Sequence, residues 1–456
     1  MSQAPAPTPA QPAERRAASH VAVAKLLKRQ RRYAQSLVEW NSAIALKDDE
    51  TDWKAERAEV LLALGDINGA LADITECVLS DTDNASYALT LGKALVKARR
   101  FDEAIVTLAD MLRRNPSNLD TYLALAEAFE GSGQMDAALQ VYDSLVEAMP
   151  EDTFSHGERL RLLVLLGQFD AAIAAGEQAY NALGKSALGL RLYLNTLIAA
   201  GNNESAKELV EKSLSSAPDD AYLQHMVKAL GGADIDRVDP AASSAYFDGI
   251  AATYNTLMPT HYNYRAPVLV ASAIYEARPR LWPEHPNRQT ASLLLDLGSG
   301  GGLVGVMLYG ISFEMVGVDV SKEMNRAAEQ LQAYSALATD DVMKFFSQDR
   351  RLYEVITASQ LLPYFGDLKP VLEAVYAHLL PTGVFSFTVE TTDAAGSKGY
   401  QLDPIGRFRH SGDYVREQLK QIGFNVVSSQ EETLQNDDHG RPVKGLVIVA
   451  EKPEKK

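Results

Sequence analysis

Cysteine is nearly absent: Cys77 is the only one in 456 residues. That excludes an internal disulfide and any mechanism that needs several thiols, such as an iron–sulfur radical enzyme. A reducing, cytoplasmic setting is expected. Long apolar runs are missing as well; no stretch approaches the ~20 residues of a membrane span, and no membrane association is expected. The N-terminal MSQAPAPTPAQPAERRAAS is rich in Pro, Ala and Ser and lacks the apolar core of a secretory signal, so residues 1–16 read as a disordered lead. Excess positive charge is lacking too: 44 Lys and Arg against 60 Asp and Glu give a formal net charge of −16. General nucleic-acid binding is therefore not expected, because most such affinity comes from neutralising phosphates. One basic cluster, Lys25, Lys28, Arg29, Arg31 and Arg32, reads as a solvated helix face. No metal site is expected. The length calls for more than one domain, since single cores rarely grow past ~250 to 300 residues.

What is present in the first half is a period. Turn units recur as Arg31-Arg32-Tyr33, Gly65-Asp66-Ile67, Arg99-Arg100-Phe101, Gly133-Gln134-Met135, Gly167-Gln168-Phe169 and Gly201-Asn202-Asn203, each 34 residues after the last. In register with them run Ser36, Ala70, Ala104, Ala138, Ala172 and Ala206, a looser small-residue column at Ala24, Ala58, Gly92, Ala126, Leu160 and Leu194, and Pro116, Pro150 and Pro218 at unit ends. Small residues where two helices cross and an aromatic or aliphatic residue after the turn define a helical hairpin, and 34 residues is the tetratricopeptide period. Six units and a capping helix at 221–230 give a repeat region over residues 17–230, expected to stack into an all-α solenoid. Its groove is expected to bind a protein or peptide, with Tyr122, Tyr142 and Tyr193 either lining it or filling the core.

Gly231-Gly232 opens a polar linker, residues 231–243, and the pattern then changes to alternating strands and helices over 244–456. Strands are predicted at 292–297, 314–319, 335–339, 353–358, 383–389, 424–430 and 444–450. The last two flank Asn436-Asp437-Asp438-His439-Gly440 and read as an antiparallel hairpin. The first strand runs into LLLDLGSGGG, which places Asp296 ahead of Gly298, Gly300 and Gly302. Glycine suits a loop that turns sharply and lets a ligand approach the backbone. The second strand ends at Asp319, where a carboxylate can accept ribose hydroxyls.

The order D-x-G-x-G-x-G, distinct from the G-x-G-x-x-G of dinucleotide folds, resembles motif I of class I S-adenosylmethionine-dependent methyltransferases. The segments 247–267, FDGIAATYNTLMPTHYNYRAP, and 399–415, GYQLDPIGRFRHSGDYV, are similar to segments of bacterial proteins that join tetratricopeptide repeats to such a domain. The resemblance implies a Rossmann-like seven-stranded sheet and S-adenosyl-L-methionine as cofactor. It implies Asp296, Gly298, Gly300 and Gly302 around the methionine part, Asp319 on the ribose, Met324 beside adenine and ribose, and Asp341 (with Asp340 as fallback) on the adenine amino group, with Ser299 and Val320 as further cofactor-binding residues. Tyr254, Tyr264 and Arg265 are implied as cofactor or substrate contacts, on helices that close over the site. Departures are Ser299 and Gly301 for the usual Cys and Thr, Gln360 for an Asp after the fourth strand, and Leu257 for a His.

Methyl transfer from a sulfonium needs mainly an in-line nucleophile, with a general base only where the acceptor must lose a proton. His410 is the candidate base by residue type, with Gln360, Tyr400 and Arg407 on the acceptor side. Its other reading is a structural histidine before a helix capped by Ser411. No Asn-Pro-Pro-Tyr or Asp-Pro-Pro-Tyr run occurs and no cysteine lies in the second half, which leaves a small metabolite or a protein side chain as acceptor. A competing reading is a repeat scaffold whose methyltransferase-like domain is inactive or only senses the cofactor. An NAD enzyme is opposed by the glycine order and by the terminal hairpin.

Overall fold

The computed structural model describes residues 12–30, 32–115, 118–260, 262–281 and 291–454; Arg31 and Pro116 of the repeat columns fall outside them. The chain divides into two compact units, Met1–Leu162 and Leu163–Lys456.

The first unit is helical: α1 (Pro12–Arg29), α2 (Tyr33–Leu46), α3 (Thr51–Leu64), α4 (Ile67–Ser80), α5 (Ala85–Lys97), α6 (Phe101–Arg114), α7 (Leu119–Gly131), α8 (Met135–Ala148) and most of α9 (Thr153–Leu165). Residues 12–16, read above as disordered, are already helical. The helices α4, α6 and α8 each start two residues after a left-handed position: Gly65 (φ 82°), Arg99 (φ 59°) and Gly133 (φ 81°). That conformation closes the preceding helix and favours glycine, so Arg99 is the strained member of the column. The small columns are buried: Ala58, Ala70, Ala104, Ala126 and Ala138 are wholly inaccessible. A Cβ on Gly92 would collide with Leu108 of the facing helix. Ser36, the odd member of its column, donates from Oγ to Ala24 O at 2.8 Å and so leaves no unmet polar atom. Tyr142 is a core residue, 4% exposed, and Tyr122 packs against the same core. Lys28 is ion-paired with Glu56 and Glu59 at 2.7 and 2.6 Å. Cys77 is buried, and desolvation pushes its thiol up to about 11, which removes it as a nucleophile at neutral pH.

The second unit continues the period with α10 (Phe169–Ala182), α11 (Ala187–Ala199), α12 (Asn203–Ser216) and α13 (Ala221–Leu230), again with left-handed glycines at Gly167 and Gly201. Tyr193 packs in this core beside Tyr180. Then follow α14 (Pro240–Thr260) and α15 (Ala266–Ala277), and the elements β1 (Ala291–Leu297), α16 (Leu303–Leu308), β2 (Ser312–Asp319), α17 (Lys322–Gln330), β3 (Ala336–Thr339), α18 (Val342–Gln348), β4 (Tyr353–Ala358), α19 (Lys369–His378), β5 (Leu379–Glu390), β6 (Tyr400–Leu402), β7 (Phe408–His410), α20 (Gly412–Ile422), β8 (Asn425–Asn436) and β9 (Pro442–Glu451).

Seven strands form one sheet in the order β3-β2-β1-β4-β5-β9-β8. All neighbours from β3 to β5 are parallel, and β9 runs antiparallel to both β5 and β8. Alternation along each strand loads two cores. Leu295, Val316, Ile356, Phe385 and Ile448 face α18, α19 and α20, while Leu294, Met315, Val355, Val384 and Val449 face α15 and α16. The small β6–β7 hairpin was not anticipated. The polar linker is shorter than its composition suggests, because α14 already starts at Pro240, where proline suits a first helical turn and Asp239 Oδ1 accepts from Ala241 N at 2.8 Å. Nor is it loose: Val238 N donates to Tyr364 O (3.0 Å) and Gly366 N to Asp236 O (2.8 Å). Among the described residues no helix is long and apolar enough to cross a membrane.

Candidate active site

β1 pairs with β2 on one side and β4 on the other, so the crossovers diverge there and the sheet opens at its carboxyl edge, where ligands of such sheets lie. The chain leaves β1 through Gly298 (φ 64°), Gly300 (φ 51°) and Gly302 (φ 90°), conformations costly for any other residue. Gly298 N and Ser299 N donate to Val318 O at 2.8 and 3.1 Å, which ties the loop to the end of β2. Gly300 N donates to Asp319 Oδ2 and Ser321 N to Oδ1, both at 2.9 Å. The carboxylate is thereby fixed in place. Burial pushes its pKa up to about 6, against the pull of those two N–H groups.

A cavity of about 470 Å³ lies over this edge, within the ~300 to 1,000 Å³ typical of small-ligand sites. Gly298, Ser299, Gly300, Asp319, Val320, Asp340 and Asp341 form one wall. Ser299 Oγ is buried there without a hydrogen-bond partner among the described residues. Asp341 caps α18, its Oδ1 accepting from Met343 N and Lys344 N at 3.1 Å, and its other oxygen is held by Arg237 of the linker. The helix α14 closes this wall. Asp248 Oδ1 accepts from Ser321 Oγ at 2.6 Å, and Asn255 Nδ2 donates to Gly301 O at 2.7 Å. A Cβ on Gly301 would come within 2.0 Å of Asn255 Oδ1, so the Asn255 amide would have to move to admit it.

Tyr254, Leu257, Tyr264, Gln360 and Arg407 line the cavity further along. Tyr264 and Ser359 share a hydroxyl–hydroxyl hydrogen bond of 3.3 Å. Gln360 holds a left-handed φ of 56°, and its neighbours over-determine it. Its N donates to Thr388 Oγ1 (2.8 Å) and its Nε2 to Glu390 Oε1 (3.2 Å), the oxygen that also pairs with Arg407 at 3.1 Å. Glu390 is wholly buried and its Oε2 has no partner among the described residues.

Six expected site residues do not line the cavity. Asp296 is wholly buried between β1 and β4, accepting from Tyr334 Oη and Thr357 Oγ1 at 2.7 Å, and desolvation raises its pKa to about 6; it braces the loop from behind. Gly302 faces the backbone of Ala328. Met324 is a core residue. Arg265 is exposed and pairs with Glu432 at 3.3 Å. His410 is wholly buried, its Nε2 within 2.9 and 3.1 Å of Phe365 O and Gly366 O, and desolvation lowers its pKa to about 4. It is a neutral structural histidine, and Ser411 beside it caps α20 by accepting from Tyr414 N at 3.2 Å. Tyr400 donates to Asp236 and packs edge-on or tilted against Phe408, His410 and Tyr414.

The residues that sequence reasoning missed come from the repeats and from the β8–β9 turn. Arg191 and Asn195 of α11, Tyr222 and His225 of α13, and Asp438 and His439 all line the cavity. One signal was available: Arg191 is the only charged residue of α11, ALGLRLYLNTLIA, and Asn195 follows it by one helical turn. His225 Nε2 donates to Gly406 O at 2.7 Å. Desolvation lowers the pKa of both His225 and His439, so both are neutral at pH 7.

Residues 264–429 match the family model described as "Methyltransferase domain", and residues 95–155 that described as "Tetratricopeptide repeat". Over 107 residues the chain is 33% identical to "Uncharacterized protein y4yS" of Sinorhizobium fredii, covering 22% of this chain and 56% of that protein. Over 137 residues it is 26% identical to "Superkiller complex protein 3" of Mus musculus, 30% of this chain but 9% of that protein. The chain thus spans only part of these relatives. Among solved structures, an S-adenosylmethionine-dependent methyltransferase from Clostridium acetobutylicum is similar at 16% identity and a TM-score of 0.33, over 46% of this chain and 99% of that one.

Proposed function

Because the chain joins tetratricopeptide repeats to a methyltransferase domain, we propose that it transfers a methyl group from S-adenosylmethionine to a small molecule held in the cavity at the carboxyl edge of its sheet. The observation that carries this reading is the fixed Asp319 carboxylate beside a glycine loop whose Ser299 Oγ is buried and unpartnered. Each Asp319 oxygen keeps a lone pair for a ribose hydroxyl, and the open backbone at Gly298 and Gly300 suits the methionine part of the cofactor. By the motif match Asp340 or Asp341 would meet the adenine, and Tyr254 would add an aromatic face. When bound, the cofactor supplies an activated methyl group on sulfur.

The rest falls to the chain's own side chains. The Gln360–Glu390–Arg407 network fixes polar groups on the wall of the cavity. Where the acceptor must lose a proton, His439 takes the role first assigned to His410, because it lines the cavity and is neutral. The earlier repeats are free to bind a protein or peptide, in keeping with their family match. A small acceptor is favoured over a protein side chain because α11 and α13, the last repeat helices, wall the cavity themselves.

The test is calorimetric titration of the full chain with S-adenosylmethionine, S-adenosylhomocysteine and, as control, NAD, in parallel with Asp319→Ala. Each charge-assisted hydrogen bond lost is worth about 1.5–3 kcal/mol, so cofactor binding should weaken by at least roughly 10- to 100-fold. No binding by the folded chain would leave the repeat scaffold as the better reading, one that Gln360 and Leu257, where relatives carry Asp and His, would then support.

A further inference from the structure

Five arginines line the cavity: Arg191, Arg237, Arg407, Arg409 and Arg441. Four are ion-paired, Arg237 with Asp341, Arg407 with Glu390 (3.1 Å), Arg409 with Asp403 (3.0 Å) and Arg441 with Asp437 (2.8 Å). Arg191 is not: among the described residues no carboxylate oxygen lies within 4.0 Å of it. Its guanidinium lies 5.8 Å from the centroid of the Tyr246 ring, and Tyr222 and Tyr262 line the same part of the wall. The carboxylate of Asp438 accepts from Asn195 Nδ2 and makes no ion pair with Arg191 within 4.0 Å, although its charge favours the guanidinium.

A half-buried guanidinium with no ion pair keeps its N–H donors available to a ligand. The position itself is unusual, because every other residue of α11 is uncharged and the helix otherwise serves packing. We propose that Arg191 forms an anion subsite, and that the methyl acceptor is a small aromatic molecule bearing one carboxylate. This rests on the methyl-transfer reading of the cavity. A planar carboxylate matches the guanidinium fork in a bidentate pair, and the tyrosine rings around it offer faces on which a flat ring packs. Asp319, Asp340 and Asp438 line the cavity as well, so a singly charged carboxylate meets less repulsion there than a doubly charged phosphate ester. The last repeat hairpin would then be part of the acceptor site, and not solely a surface for a partner.

The experiment uses the full chain, with and without saturating S-adenosylhomocysteine, titrated with benzoate, 4-hydroxybenzoate and 3,4-dihydroxybenzoate and with the corresponding neutral amides. At least one acid should bind about tenfold or more tightly than its amide, the size of one charge-assisted bidentate pair. Arg191→Gln should abolish that preference, Arg191→Lys should restore part of it, and S-adenosylhomocysteine affinity should be unchanged in both. Arg191→Met takes the place of Arg191→Gln if the latter loses its helical circular dichroism. Equal affinity for acids and amides, no binding of any acid, or a preference that survives in the neutral variant overturns the proposal. Failure of the intact chain to bind S-adenosylhomocysteine strikes the methyl-transfer reading instead, and the arm without cofactor still decides whether the anion subsite exists.

Discussion

Asn195, on the first helix of the last repeat hairpin, donates from Nδ2 to the carboxylate of Asp438 in the turn between β8 and β9. These residues are 243 positions apart in the chain, and their bond ties a repeat helix to the tip of the strand pair that ends the sheet. Both line the cavity. Cutting the bond should therefore disturb the acceptor side and spare the cofactor side. In Asn195→Ala, a hydrogen bond to a charged group is lost at a half-exposed site, for which about 1 kcal/mol is expected. The acceptor KM, or acceptor affinity by calorimetry, should change by several-fold while S-adenosylhomocysteine affinity stays constant. A parallel loss of both would mean that the hairpin braces the whole site.

Asp319 gives the cofactor site a pH dependence with a definite sign. Its pKa is raised by burial to about 6, and hydroxyl donors on a ligand favour the ionised form, so binding lowers that pKa. Affinity for S-adenosylhomocysteine should therefore be flat above pH 7 and fall as pH drops through 6, with proton release on binding in that window. Calorimetry from pH 5 to 8 in buffers of different ionisation enthalpy reads both. Asp319→Asn should bind more weakly and show little pH dependence; an unchanged profile would place the titration elsewhere.

His410 should matter for stability and not for the pH–rate profile. It is neutral in the fold, with its pKa lowered to about 4 by burial, whereas an unfolded histidine takes its proton near pH 6.5. Between those values the unfolded chain binds more protons, so stability is lost as pH falls from 6.5 toward 4, to the extent of about 3 kcal/mol when complete. His410→Gln should be destabilised in general, and the gap between its thermal midpoint and that of the wild type should narrow between pH 7.5 and 5. Methyl-transfer rates per folded molecule should keep their pH dependence, whereas His439→Gln should alter it if the acceptor loses a proton.

How much of this was legible depended on whether the signal was local. The 34-residue columns marked the repeat hairpins because a hairpin is closed by neighbours in sequence, and the left-handed position that Gly65 and Gly133 occupy and Arg99 tolerates lies in the turn units. Strand β4 fell on its predicted residues, since an apolar run bounded by polar turns is local too. By contrast, His410 and Tyr400 lie only a few residues from Arg407, which lines the cavity, yet β7 alternates sides and puts His410 into the core. Asp296 and Met324 sit beside loop residues that face the cavity and themselves face inward. Arg191 and Asn195 were hidden for the opposite reason: they belong to a repeat, and nothing in a repeat pattern says which helix meets the sheet.

The Gly301–Asn255 pair turns a departure from the methyltransferase pattern into a test. Relatives usually carry Thr at the position of Gly301, and here a Cβ would meet the Asn255 amide, whose Nδ2 donates to Gly301 O at 2.7 Å. The two residues are complementary: the side chain missing from the loop is replaced by one reaching down from α14. Gly301→Ala should therefore force Asn255 aside, breaking a hydrogen bond worth about 1 kcal/mol and adding overpacking of about 1–3 kcal/mol. S-adenosylhomocysteine affinity should fall accordingly, because α14 is what closes the cofactor wall. Asn255→Ala alone loses the hydrogen bond but gains no clash, so its loss should be the smaller. The double variant Gly301→Ala, Asn255→Ala has room for the new methyl and should recover to the level of Asn255→Ala. A double variant as weak as the product of the two singles would show that the Gly301 constraint lies in its backbone and not in the amide above it.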